Sequence, residues 1–536
     1  MSERIKGAGT ENKIRGIEQE YPVSAKAGLN PSLLVNAAIQ GIKRGKFSRD
    51  VKWDVDMEIT QEAHESRILS SYGENGSRIY NDLGHLEIAT PSYNNPFDAV
   101  AYDKASEIYA YVGSREASLA LKKEVRIHKN NVANFFSSLG GWKEKGKKRR
   151  IKTNTYATHG NIITKREACK DWSRVEKALI PWIITRILFT GSGDVVSGDT
   201  ISKGSVKFVI SPRAMFVVHK SSLSTTRERG ILNTRDQPHA AHRYWRLHDI
   251  HYEALRSEYA IFLRDIVQAQ VICAFESGFL DNAPEIEDPV RAFKKLSLDT
   301  QECKWQLKLK SGEVTDAVSI LQFYFGAIEQ MHEFSGVEPG KWDELGLKGF
   351  KELLDDLEAR HMEKYVDGID WVTKLALLVN YEPKSALEGI SICNQYALLD
   401  ESVLEDIEGK KGSSACLFNP ADSMAFAKSK LPHVNWSSFP DRVRYALSNA
   451  PEQTRDFFKA EVLKRYSSQV SSVSWSTLVL DEAKITLDEP FMLNKEEIEV
   501  ELGGGIEEII SEAKKLYPEK VETKETLSKR KDIYLL

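Results

Sequence analysis

The segment Ile14–Tyr21, IRGIEQEY, most constrains what this chain can fold into, because it sets Glu18 and Glu20 one residue apart in a run that otherwise reads as a β-strand. Side chains in a strand alternate between faces, so both carboxylates point the same way. Ile14, Ile17 and Tyr21 argue for a strand inside the protein rather than on its rim. Neighbouring carboxylates repel unless a cation lies between them, and hard oxygen donors suit Mg²⁺ bound to nucleotide phosphates. A second stretch answers to the first. Asn75–Pro91, NGSRIYNDLGHLEIATP, reads as a β-hairpin and gathers Tyr80, Asp82, His85 and Glu87. A solvated strand face and an ordinary turn would explain each residue singly; the set points to the reaction centre of an ATP-dependent enzyme.

Around these two segments the pattern is that of a mixed helix-and-sheet protein. Asn30–Ile42 has helical spacing, with Asn30 as N-cap and Pro31 in the first turn. Asn95–Ala110 also begins Asn-Pro and continues as a helix. Val125–Asn131 is predicted to be a strand with Tyr156–Thr164 as its partner, and Val206–Ser211 a further strand. Leu247–Gly278 is predicted as one long helix, followed by amphipathic helices over Asp288–Leu298, Val314–His332, Gly349–Val366 and Ile369–Val379. Thr477–Leu487 alternates like a strand, and a charged tail follows Gly505. The expected division is a flexible N-terminus at 1–13, a catalytic domain at 14–410 and a smaller C-terminal domain at 411–536.

Composition matters here for what it excludes. A formal charge of −4 over 536 residues gives no reason to expect a nucleic-acid partner. Five cysteines without a short pair argue against a zinc knuckle or a disulfide framework and for a reducing compartment. The most apolar window, Leu179–Gly191, is too short to span a bilayer, and the polar N-terminus lacks a signal-peptide core, so no membrane association and a cytoplasmic location are expected. The basic run Lys143–Lys152, KEKGKKRRIK, could dock an acidic polypeptide or be a solvated loop.

Nucleotide binding by a familiar loop is also excluded. Gly191–Gly198, GSGDVVSG, lacks the Lys-hydroxyl ending of a P-loop, and no GxGxxG follows a strand. Ser221–His239, SSLSTTRERGILNTRDQPH, instead offers guanidinium forks suited to phosphate. His239 stands out beside it. His242, His248 and His251 read as surface or core histidines, since no HExxH accompanies them.

Taken in order, GIEQEY, NGSRIYND, HLE, NPFDAVAYDKA, HKNN, YATHGN and STTRERGILNTRDQPHA resemble the Pup ligase and Pup deamidase/depupylase family. The resemblance implies an α+β fold, a glutamine synthetase-like antiparallel sheet flanked by helices, with a smaller C-terminal domain. It implies ATP and Mg²⁺ as cofactors, with Glu18, Glu20, Tyr80 and Glu87 at the metal site and His239 completing the shell. Arg229 and Arg235, with Thr226 and Asn233, would face the nucleotide phosphates, and Asp82 would be the catalytic residue. The implied partner is a small acidic Pup-like protein modifier with its conjugates, handled by a monomer. Two reactions follow from the resemblance: amide or isopeptide cleavage at the modifier's terminal glutamate side chain, or ligation of that glutamate to a lysine. The spacing from Asp82 to Glu87 is closer to the depupylase branch, so cleavage is the first expectation. One departure stands out: the family has His-Glu-Asn where this chain has His159, Gly160 and Asn161. Loss of that carboxylate motivates a third reading, a non-catalytic modifier-binding paralogue.

Overall fold

Burial alternates strictly along the first strand, Arg15–Tyr21 (β1), with Arg15, Ile17, Gln19 and Tyr21 buried and the residues between them half-buried. That period of two gives a strand with a core face and a working face. The computed structural model describes residues 9–25, 29–53, 70–137, 150–197, 206–335, 339–408, 415–498 and 504–524. Further strands of the same sheet are Ser48–Asp50 (β2), Ser70–Gly73 (β3), Arg78–Asp82 (β4), His85–Ala89 (β5), Thr158–Lys165 (β6) and Tyr244–Asp249 (β7). The order across the sheet is β7-β6-β1-β5-β4-β3-β2, and every neighbouring pair is antiparallel.

Helices cover the core face. Pro31–Arg44 (α1) starts as expected, with the Asn30 side chain accepting from the Ser32 amide at 2.9 Å and Pro31 in the first turn. Pro96–Leu121 (α2) begins at Asn95, which caps the Asp98 amide at 2.8 Å. Glu258–Glu276 (α3) is buried along most of its length. Tyr21, Ile79, Leu86 and Ile88 of the sheet join residues of these helices in the main core, and the Tyr21 hydroxyl meets Ser106 of α2 at 2.7 Å. Buried charges between the helices are paired: Lys129 with Asp103 and Glu107, and Arg15 with Asp265. Leaving one such charge alone would be costly, which ties the helix layer to β1.

Several expectations change. Val125–His128 pairs with Val23–Ala25 and Leu398–Leu399 rather than with 156–164. The hairpin forms one step later, between Val132–Ser137 and Arg150–Thr155, and β6 pairs with β1 and β7 instead. Leu247 does not open a helix; it lies in β7, and α3 starts only at Glu258, because the alternation around Arg246 and His248 overrides helix propensity. Val314–Asp316 is a short strand before the helix Ala317–Phe334, and the helix expected at Gly349–Val366 runs earlier, over Lys341–Glu358. Within the expected flexible N-terminus, Thr10 and Lys13 are buried, Thr10 donating to Asp343 at 2.6 Å and Lys13 pairing with Glu276 at 2.6 Å.

A second core gathers Phe458, Leu478, Ile485, Ile509 and Val521 with Trp53 and Tyr72 from the edge of the large sheet. Its frame is a four-stranded sheet of Val470–Val473, Thr477–Leu480, Ala483–Thr486 and Val521–Thr523. The stretch expected as a charged tail includes the amphipathic helix Ile506–Leu516, which buries Ile506, Ile509, Ile510 and Ala513. Met424 to Ala446 pack with the larger core, so a division of the chain at 411 stands as a proposal about folding units. Among the described residues no helix is long and apolar enough to cross a membrane. Residues 143–149 of the basic run lie outside the described residues.

Candidate active site

The working face of the sheet brings the two sequence segments into register. Glu20 pairs with Glu87 and Tyr80 with Glu87 across β1, β5 and β4, while Glu18 pairs with His159 and Asn161 with His248 on the other side of β1. Directly opposed residues share a face, so two ligand groups form. Glu20, Asp82 and Glu87 place ligand atoms within 4.8 Å of one another, and so do Glu18, His159 and His248.

Both groups fit divalent cations. Glu87 is 3% exposed; burial and then the charges of Asp82, Glu20 and Glu18 push its carboxyl up, against a hydrogen bond with Tyr80. Such crowding is relieved by a cation. In the second group, burial would raise Glu18, but its hydrogen bond with His159 (3.1 Å) and the nearby Arg246 hold it well below the usual carboxylate range. His248 Nδ1 lies 2.9 Å from Asn161 Oδ1. That nitrogen also lies 3.1 Å from Arg246; in the tautomer that donates to Asn161, Nε2 keeps its lone pair, and among the described residues it is buried without a hydrogen-bond partner, as is Nε2 of His159. Burial, then Arg246, keeps His248 neutral, the form that ligates metal.

The carboxylates share their cleft with cations. The open cleft, about 990 Å³, is lined by Glu18, Glu20, Asp82 and Glu87 and also by Arg213, Arg229 and Arg235. Burial and the adjacent Arg213 push Arg229 down to about 9, and burial likewise lowers Arg213. Crowded guanidiniums of this kind, Arg213 buried and Arg229 half-buried, suit an anion. Arg213 is aimed by bonds to the Ile250 carbonyl at 3.1 and 2.9 Å. Arg229 is tied to the Thr225 carbonyl at 2.8 Å.

A second cleft of about 810 Å³ adjoins the first and shares Glu18, Arg78, His239, Arg246 and Trp475 with it. Its walls include Trp53, Tyr72, Ile14 and Ile163. Trp53 and Trp475 meet edge to face at 5.1 Å, and the Arg78 guanidinium lies 4.0 Å over Trp53 and 4.2 Å over Tyr80. Trp475 belongs to the second core's sheet region, so the smaller unit supplies a wall of the site.

Of the residues predicted from sequence, Glu18, Glu20, Tyr80, Asp82, Glu87, Thr226, Arg229, Arg235 and His239 all line the charged cleft. Three details differ. Asp82 was expected to stand apart from the metal ligands, whereas it sits in one ligand group with Glu20 and Glu87. His239 belongs to neither group; its ring lies 5.7 Å from Trp475. Asn233 is buried beneath the loop, donating to the Leu223 carbonyl at 3.3 Å and accepting from the Arg235 amide at 3.0 Å, so it shapes the loop instead of lining the cleft. His242 is exposed and His251 is buried, as expected, but His248 is a ligand-group member. His159, Arg213 and Trp475 went unassigned. Only His159 carried a local signal, as a polar strand residue within YATHGN.

Gly160 also finds its explanation. Flanked by two residues of the working face, it points into the helix layer, where a Cβ would lie 2.6 Å from the Tyr252 ring. The carboxylate missing at 160 would face Tyr252, not the cleft.

The model of the family described as Pup-ligase protein matches residues 13–479. The chain belongs to the Pup-ligase protein family. It is an enzyme family, and its curated relatives carry more than one activity in their names. A depupylase of Acidothermus cellulolyticus is 29% identical over 88% of this chain and 91% of its own. A Pup-protein ligase of Acidimicrobium ferrooxidans is also 29% identical, over 91% of this chain and 97% of its own. Among solved structures, the complex between Pup and its ligase PafA matches with TM-score 0.70 at 22% identity, over 96% of this chain and 94% of that one. PafA in complex with ADP matches with TM-score 0.62 at 24% identity, over 82% and 88%. The glutamine synthetase-like α+β architecture of this Pup-ligase family member is therefore shared along almost its whole length.

Proposed function

We propose that this Pup-ligase family member is a nucleotide- and Mg²⁺-dependent amidase that cleaves the side-chain amide or isopeptide bond at the terminal Gln or Glu of a small acidic Pup-like modifier. The observation that carries the reading is the one cleft lined both by two carboxylate-containing ligand groups and by buried Arg213 with half-buried Arg229 and Arg235. Glu18, His159 and His248 would hold one cation, and Glu20, Asp82 and Glu87 another. Bound there, Mg²⁺ supplies neutralisation of phosphate and carboxylate charge. Arg213, Arg229 and Arg235 bind and orient the anionic phosphates, and the aromatic cleft of Trp53, Tyr72 and Trp475 receives the nucleotide base; that a matched ligase was solved in complex with ADP supports a nucleotide as ligand. Asp82 supplies the carboxylate that attacks the amide carbon or takes the proton from attacking water.

The ligase is the second reading, favoured by the equal identity to a named ligase. Intact-mass measurement separates them. With ATP and Mg²⁺, an amidase converts a modifier ending in Gln to one ending in Glu and releases it from a lysine conjugate. A ligase consumes ATP in step with formation of a heavier conjugate. Modifier binding without either change would sink both and leave a binding paralogue.

A further inference from the structure

The turn that closes the catalytic hairpin carries an unexpected residue. Asp82 pairs with His85, so Leu83 and Gly84 form the whole connection, with φ of 46° and 89°. A two-residue turn with both φ positive matches the twist of its strands, and asparagine, aspartate or glycine fills its first position at least cost. Leucine there sits in the left-handed region and is also 52% exposed. Two local costs at one position point to a use. Leu83 lines the charged cleft and follows Asp82 directly; apart from Ala157 and Trp475, the other lining residues carry charged, amide, hydroxyl or imidazole groups. The turn rests on the start of α1, where a Cβ on Gly84 would lie 3.6 Å from Pro31. Leu33 of that first turn is itself 48% exposed.

We propose that Leu83 determines specificity on the amine side of the bond, by packing against the aliphatic stem of the lysine. This rests on the amidase reading above. The glutamyl side and the phosphates are met by cations and carboxylates, which give nothing to a hydrocarbon chain. A lysine-linked amide brings four methylenes past Asp82; a primary amide brings none. An apolar contact at Leu83 therefore favours the alkyl amide selectively, and each methylene left without it forfeits burial.

The test compares two substrates: a modifier ending in Gln, and the same modifier joined through its terminal Glu to Nα-acetyl-lysine. In Leu83→Ser the ratio of kcat/KM for the lysine amide to that for the primary amide falls about tenfold, mainly through KM, and Leu83→Met restores it. An unchanged ratio, or a Met variant as impaired as Ser, overturns the proposal in favour of a turn-forming role. If the wild-type chain cleaves neither substrate but forms conjugates, the same ratio is read with Nα-acetyl-lysine and hydroxylamine as acceptors. A wild-type chain that does neither removes the proposed function, and this inference with it.

Discussion

The charged cleft and the aromatic cleft touch, yet the chain builds them in opposite ways. The carboxylates of the first come from β1 and one hairpin, short segments whose alternation alone directs them to one face. The second joins Trp53 and Tyr72, at the edge of the large sheet, to Trp475, some four hundred residues away. That closure depends on a parallel bridge between Trp53 and Val473 and on Arg49 donating to the carbonyls of Leu463 and Lys464 at 2.7 and 2.9 Å. The carboxylates are thus local in sequence, and the surface proposed to receive the nucleotide base is assembled from afar.

The largest test of this contrast lies on the charged side. Asp82→Asn should lower turnover by about 10³-fold or more while nucleotide binding persists, read by single-turnover kinetics beside titration with a fluorescent nucleotide. Retained turnover would remove Asp82 from its role. His248→Ala should raise the Mg²⁺ concentration needed for half-maximal activity by about 10–100-fold, because it removes a neutral imidazole from the Glu18 group. An unaltered Mg²⁺ dependence would return His248 to the core histidines. On the aromatic side, Trp475→Ala should weaken nucleotide binding by about tenfold and Trp475→Phe far less, as loss of one stacked ring predicts. Equal affinity in both variants would separate the smaller unit from the site.

Two smaller effects concern the layer beneath. Gly160→Ala should cost about 1–3 kcal/mol in denaturant unfolding, since Tyr252 leaves no room for a methyl group. A neutral result would mean that Tyr252 moves freely. His251 is buried, donates to the Gly230 carbonyl at 2.9 Å, and is pushed down to about 3 by burial and then by Arg213. The unfolded chain therefore takes up this proton first as pH falls. Stability present above pH 6.5 is lost progressively toward pH 3, roughly 2 kcal/mol of it by pH 5. His251→Gln, which keeps a donor for Gly230, should flatten that part of the stability-pH curve; an equally steep curve would assign the loss to other groups.

Legibility in the sequence followed the range of the interaction. Glu18, Glu20, Asp82 and Glu87 were readable because a strand's period and a tight turn are set by neighbours along the chain. The cap at Asn30 and the Asn-Pro start of α2 were readable for the same reason. His248 is buried, as a core histidine would be, but its place beside Glu18 and His159 depends on β7 pairing with β6, and Arg213 had no local signal because the Ile250 carbonyl that aims it lies 37 residues away. Gly160 looked like a lost ligand from motif comparison alone; its direction depends on strand register, and its tolerance for a side chain depends on the Tyr252 ring packed under it.

By itself, then, the sequence determined that the carboxylates of β1 and the hairpin share one face, since alternation and turn type act over a few residues. Only the tertiary structure decided which histidines join the carboxylates, which arginines share their cleft and where Trp475 joins its wall. Strand register and the docking of distant segments are settled by burial summed over the whole core, which no single motif encodes.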